Sequence, residues 1–180
     1  MPSGKTHDAI TLLLAPPTFA AAWGATASLA LACVVVCAML FGGFMFGPDL
    51  DIQSRQYTRW GVFRFLWWPY KVMFRHRSRW SHGILFGTLI RVVYFAAMLS
   101  LVVAAAIYLR AALVGGAAAP TFAEIAATCR AMESELRHYS GTTTGAHVLW
   151  ALLAGLWWGA ASHTLTDVAW SVLRKGSEIF

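Results

Sequence analysis

Acidic and imidazole side chains are scarce in this chain, and they fall in few places. All four Asp stand in short polar clusters beside long apolar stretches. Asp8 follows His7, Asp49 and Asp51 share Pro48-Asp49-Leu50-Asp51, and Asp167 lies four residues after His163. His76 and His82 flank a basic loop, so four of the six His keep the same company. Carboxylate and imidazole are the natural ligands of Zn²⁺, Mn²⁺ or Fe. Eight candidate ligands (His7, Asp8, Asp49, Asp51, His76, His82, His163 and Asp167) exceed the four or five that one Zn²⁺ takes. The count points to a divalent metal, Zn first with Mn or Fe as alternatives, and suits two ions bridged by a carboxylate such as Asp49 or Asp51. Two ions so held activate a water and clamp both oxygens of a phosphoester under hydrolysis. Arg77, Arg79 and Arg91 are the candidates to hold the remaining phosphate charge.

Spacing gives each cluster its own geometry. His163 and Asp167, four apart, project from one helical face about one turn apart. Asp49 and Asp51 point the same way if the chain is extended, although Asp51 could instead cap the next segment. His76 and His82, six apart, would not share a helical face, so the segment is irregular or one of them is no ligand. Ser81 reads as the N-cap of the long helix after it, with His82 in its first turn. His7 and Asp8 diverge on a helix, one toward a metal and the other behind it. His138 and His147 are expected to be structural.

The elements that position these groups show where charge is missing. Only 12% of the 180 residues are charged and 58% are hydrophobic, against roughly 25% charged in soluble domains. A disordered chain is excluded, and an integral membrane protein is the expected class. Residues 9–48 carry no Asp, Glu, Lys or Arg, and a helix of about 20 apolar residues already crosses a bilayer. The run therefore predicts a hairpin of limbs 9–23 and 27–47, with breaks at Pro16-Pro17 and at Gly24–Ala27. The short first limb leaves a re-entrant helix as the alternative. Further membrane helices are predicted over 84–114, stopped by Gly115-Gly116 and Pro120, and over 147–170, where Gly155 and Gly159 make a small-residue packing face. The fold class is thus all-α, with about four membrane-embedded helices in one domain over 1–180. A basic, aromatic segment (50–82) lies between the second and third helices, and an extramembrane loop or helix occupies 116–145. Cys33 and Cys37 read as free thiols within a helix.

Ten Lys and Arg fall in the 50–82 stretch, at Lys5 and at Arg174-Lys175, against three in the 110–145 stretch. The positive-inside bias places the first group and both termini in the cytoplasm, which brings every His/Asp cluster to that face. A cleaved signal peptide is the competing reading of the N-terminus. The 55–80 run invites a nucleic-acid reading, but between membrane segments it reads as a surface for anionic lipid, with no nucleic-acid partner. Protein partners are left open.

Four stretches together resemble a known family: Met1–Asp8, the Phe46-Gly47-Pro48-Asp49-Leu50-Asp51 turn, Arg75–Gly83, and Ser162-His163-Thr164-Leu165-Thr166-Asp167. They are similar to the uncharacterised metal-binding membrane proteins of DUF2227, common in cyanobacteria, and more remotely to the YdjM-like inner-membrane metal-dependent hydrolases. The resemblance spans essentially the whole chain, and the His76–His82 spacing is one residue longer than in the YdjM-like pattern. It implies a His/Asp metal site in an inner or thylakoid membrane and, by the remoter analogy, hydrolysis of a small-molecule or lipid substrate. Two other classes stand beside that expectation: a non-catalytic metal-binding membrane protein, and a lipid-binding scaffold without metal.

Overall fold

The computed structural model describes residues 2–76, 78, 80–114 and 121–177, and among these it contains helices and no strands. Arg77, Arg79 and the Gly115–Pro120 stop lie outside the described residues. Four of the helices are long and apolar enough to cross a membrane. The chain divides into two compact units, one of residues 1–91 with 147–180 and one of 92–146.

The first unit opens with α1 (Gly4–Thr26), capped by the Ser3 side chain on the Thr6 amide. At 23 residues it is about 35 Å long, enough for a full span. Pro16 and Pro17 lie inside it and do not break it, contrary to expectation. They deprive only the Leu12 and Leu13 carbonyls of a donor, while the Thr18 hydroxyl bonds the Leu14 carbonyl at 2.7 Å. The reversal comes at the second expected break, where Ala27 adopts φ +50° and Ser28 caps α2 (Leu29–Phe44). His7 and Asp8 therefore sit within α1, at the junction of its first and second turns, not ahead of it.

The 50–82 stretch folds more completely than an interfacial strip. A 3-10 turn (Pro48–Asp51) leads to α3 (Arg55–Arg59), a second 3-10 segment (Gly61–Trp67) and α4 (Trp68–Met73). Trp67, Tyr70, Phe46 and Leu50 are fully buried there, with ring pairs Phe46–Trp67 and Trp67–Tyr70 at 5.4 and 5.7 Å. Phe63, Phe65 and Trp68 stay exposed. The expected cap at Ser81 is not formed: α5 (Phe86–Val114) begins five residues later, and His82 lies in the turn before it. Ser81 is instead fully buried, its hydroxyl bonded within the 75–82 loop.

The last helix, α7 (Thr143–Ser177), meets α2 backbone to backbone. A Cβ on Gly159 would stand 2.1 Å from the Met39 carbonyl oxygen, one on Gly155 2.3 Å from that of Val35, and one on Gly42 2.6 Å from that of Leu156. The small-residue face expected at Gly155 and Gly159 is thus the place where α2 and α7 touch. In the second unit, α6 (Phe122–Gly141) starts with a reciprocal cap between Thr121 and Glu124 and buries no residue. Those hydrogen bonds hold the Glu124 carboxyl below its ordinary range. Cys33 and Cys37 are free and exposed on α2.

Gly159→Val is expected to destabilise the fold by about 2 kcal/mol or more, because the added atoms meet backbone that cannot yield. Gly24→Ala, with open space around it, should be neutral or stabilise by up to about 1 kcal/mol. Thermal unfolding of the detergent-solubilised variants measures both, and equal stability of Gly159→Val and wild type would refute the contact.

Candidate metal centre

Seven of the eight expected ligands converge in the first unit, all but Asp8. His7 comes from α1, Asp49 and Asp51 from the 3-10 turn after α2, His76 and His82 from the stretch between α4 and α5, and His163 and Asp167 from one face of α7. His163 Nε2 lies 3.3 Å from Asp49 Oδ2 and 4.0 Å from Asp167 Oδ2, and His7 Nε2 lies 3.3 Å from Asp167 Oδ1. The His7 and His163 rings stack in parallel with centroids 3.7 Å apart. On the other side of Asp49, its Oδ1 is 3.5 Å from His82 Nε2. Two groups of ligand atoms result, His7/His163/Asp167 and Asp49/His76/His82, each within 4.8 Å. Asp49 connects them, with one oxygen toward each.

The centre is buried and under-satisfied. His7, His163 and Asp51 are 6, 4 and 3% exposed. Asp49 Oδ1, His82 Nε2, His163 Nε2 and Asp167 Oδ1 are buried without a hydrogen-bond partner. A buried polar atom left unpaired costs about 1–3 kcal/mol, more when charged, and these unpaired atoms face one another. Their separations are long for hydrogen bonds. They match two ligands of one tetrahedral ion at about 2.1 Å, which stand about 3.4 Å apart. The donor set therefore fits divalent metal. A small void of about 20 Å³ borders His7, Asp49 and His163, with Arg55 and Gln56 on its other walls.

The remaining candidates have other partners. Asp8 is turned away from the centre and accepts two hydrogen bonds from Arg59 at 2.6 and 2.8 Å, with Arg55 2.8 Å away. It ties α3 to α1. Asp51 accepts from His76 Nδ1 at 2.9 Å and faces His82 Nδ1 at 3.6 Å, so it leaves the Nε2 edges of both rings for an ion. His76 is the more open of the two, with its side chain 32% exposed, and its ring lies edge-on to His82 at 4.9 Å. Arg91 is not available to substrate: it is 2% exposed, donating to the Ser81 carbonyl at 2.6 Å and to the Thr88 hydroxyl at 3.1 Å. It clamps the loop that carries His82. Neither His138 nor His147 belongs to the two groups of ligand atoms; His147 lines an apolar groove with Thr18, Trp150 and Trp158.

Sequence reasoning missed Gln56. Its side-chain oxygen accepts from the Asp49 amide at 3.1 Å, and its nitrogen donates to the Gly43 carbonyl at 2.8 Å and lies 3.3 Å from His163 Nδ1. One buried amide thus joins the end of α2, the Asp49 turn and α7. Gly47 makes room for it, since a Cβ there would lie 2.1 Å from Gln56 Nε2. A lone Gln carries no metal-ligand signal.

Residues 2–176 match the family model described as "Uncharacterized metal-binding protein (DUF2227)". The chain belongs to that family. It is also 41% identical over 56 residues to an "Uncharacterized protein" of Aquifex aeolicus (strain VF5), a match covering 31% of this chain and 39% of that protein's length. No solved structure matches.

Asp51→Asn is expected to weaken metal binding by about 10- to 100-fold while the number of ions at saturation stays the same, the usual effect of losing a carboxylate behind a ligand imidazole. Competition titration with a chromogenic chelator measures it. A drop in the number of ions bound would make Asp51 a ligand itself.

Proposed function

We propose that this chain is a membrane-embedded metalloprotein that holds two divalent ions, Zn²⁺ first with Mn²⁺ or Fe as alternatives, and hydrolyses a phosphoester, including one borne by a lipid. Asp49 carries this reading: its two oxygens reach toward separate histidine groups at 3.3 and 3.5 Å, and one of them is buried without a partner. His7, His163 and Asp167 would hold one ion and His76 and His82 the other, with Asp49 between. When bound, such ions supply Lewis acidity, which activates water and offsets charge on the attacking and leaving oxygens. The chain's own groups do the positioning. Asp51 orients His76, Gln56 holds the Asp49 turn against the end of α2, and Arg91 anchors the loop.

The membrane part of the proposal rests on the four apolar helices and on large side chains that face outward along them, such as Leu13, Leu99 and Trp150. With basic residues concentrated in 50–82 and at both termini, the centre would open to the cytoplasmic face of an inner or thylakoid membrane. Its burial also favours a second reading, a non-catalytic metal-binding membrane protein whose ions are fully ligated.

Metal analysis of the purified protein, paired with a panel of soluble and lipid phosphoesters, separates these. Two ions per wild-type chain and at most one in Asp49→Asn are expected, with phosphoester turnover reduced by at least about 100-fold in the variant. Full metal occupancy without turnover on any ester leaves the non-catalytic reading. A metal-free wild type, after growth with added Zn²⁺, would refute both.

A further inference from the structure

The two arginines of α3 share Asp8 unequally. Arg59 donates from both terminal nitrogens to both Asp8 oxygens, and its Nη1 also reaches the Phe44 carbonyl at 3.0 Å. Arg55 approaches Asp8 through Nη1 alone, at 2.8 Å, and half of its side chain is exposed. Its stem lies across Gly4, where a Cβ would stand 2.7 Å from Arg55 Cδ. The glycine leaves the channel that the arginine fills. Arg55 also borders the void of about 20 Å³, whose other walls include His7, Asp8, Asp49 and His163. His7 is more than nine-tenths buried and its Nδ1 has no partner, whereas His163 Nε2 faces Asp49 and belongs to the metal site. A half-exposed guanidinium with donors to spare, beside a polar void backed by unpartnered imidazole, has the chemistry of an oxyanion seat.

We propose that Arg55 binds the phosphoryl group of the substrate, with one oxygen entering the void beside His7 and His163. The inference rests on the hydrolase reading and names the contact that would hold its substrate's phosphate. The void admits one water-sized group, so the rest of the phosphate stays outside, against the exposed side of Arg55. Asp8 engages Arg55 at Nη1 and tethers it there, so the remaining guanidinium donors are the ones the phosphate would take. Inorganic phosphate and a phospholipid headgroup present the same oxygens to this seat.

The full-length protein in detergent, as wild type, Arg55→Ala and Arg55→Lys, tests it. Metal content and melting temperature are recorded first. Each form is then titrated by calorimetry with inorganic phosphate and, separately, with phosphatidate micelles. Metal content and stability should be unchanged in both variants, because Asp8 keeps Arg59. Binding should weaken about 10-fold or more in Arg55→Ala and recover in part in Arg55→Lys, which restores charge without the fork. Dependence on Arg55 with only one of the two ligands names that ligand as the source of the phosphate. Equal affinity of all three forms in both arms, or no binding of either ligand by wild type, overturns the proposal. A wild type that binds phosphate through Arg55 yet holds no metal sinks the hydrolase reading and leaves the anion seat standing. If Arg55→Ala melts early, the comparison of Arg55→Lys with Arg55→Gln decides in its place.

Discussion

Taking Asp49, Asp51 and Asp167 out of water costs several kcal/mol per carboxylate, and only opposite charge or good hydrogen bonds offset it. Arg55 and Arg59 are engaged with Asp8. Among the described arginines, Arg91 lies within electrostatic reach of Asp49 and Asp51. Three negative charges against one leave two to be balanced, either by protonated imidazoles or by cations. One divalent ion would bring the sum to zero. Two would leave it positive, the sign that an anionic substrate needs. Neutral imidazole with metal also satisfies the unpaired atoms around Asp49, which protons alone do less well, since each added N–H would still have to find an acceptor over about 3.5 Å.

The scaffold holds these groups by backbone contact more than by side-chain bulk. Gly42, Gly155 and Gly159 let α2 and α7 touch main chain to main chain, so that the turn after α2 comes up against His163. The Thr11 side chain packs directly on Gly43, bringing α1 and His7 alongside. Gln56 then locks three segments of chain with one amide, and Arg91 ties down the loop that bears His82. Each of these devices is buried, and each has one job of placement. Enlarging a glycine or removing the amide would displace ligands without touching them.

Much of this was legible from the residues, for identifiable reasons. Charge-free runs announce apolar helices because the cost of burying a charge in hydrocarbon is large, and four such helices are present. The i, i+4 pair His163/Asp167 and the divergence of His7 from Asp8 follow from helical periodicity alone. What was not legible depended on tertiary partners. Pro16-Pro17 passes within α1 because a proline costs a helix two local contacts, not its continuity. Ser81 has the chemistry of an N-cap, yet the buried Arg91 guanidinium takes its carbonyl and draws it into the core. Asp8 and Asp51 look like ligands in sequence, and only space shows that arginine takes the first and imidazole Nδ1 the second.

The exposed apolar surface bears on where such a centre can work. Leu13, Val62, Leu113 and Trp150 are each about 70% exposed or more, and in water such side chains would drive association. A bilayer would remove that penalty along α1, α5 and α7 and would exclude unpaired charge from its middle. The candidate ligands lie mostly toward element ends. His7 lies near the start of α1, Asp49 just beyond the end of α2, His82 ahead of α5, and Asp167 in the last third of α7. Ligands drawn from near the ends of α1 and α2 and from the stretch before α5 meet His163 and Asp167 of α7 in one polar layer, apart from the long apolar faces of those helices.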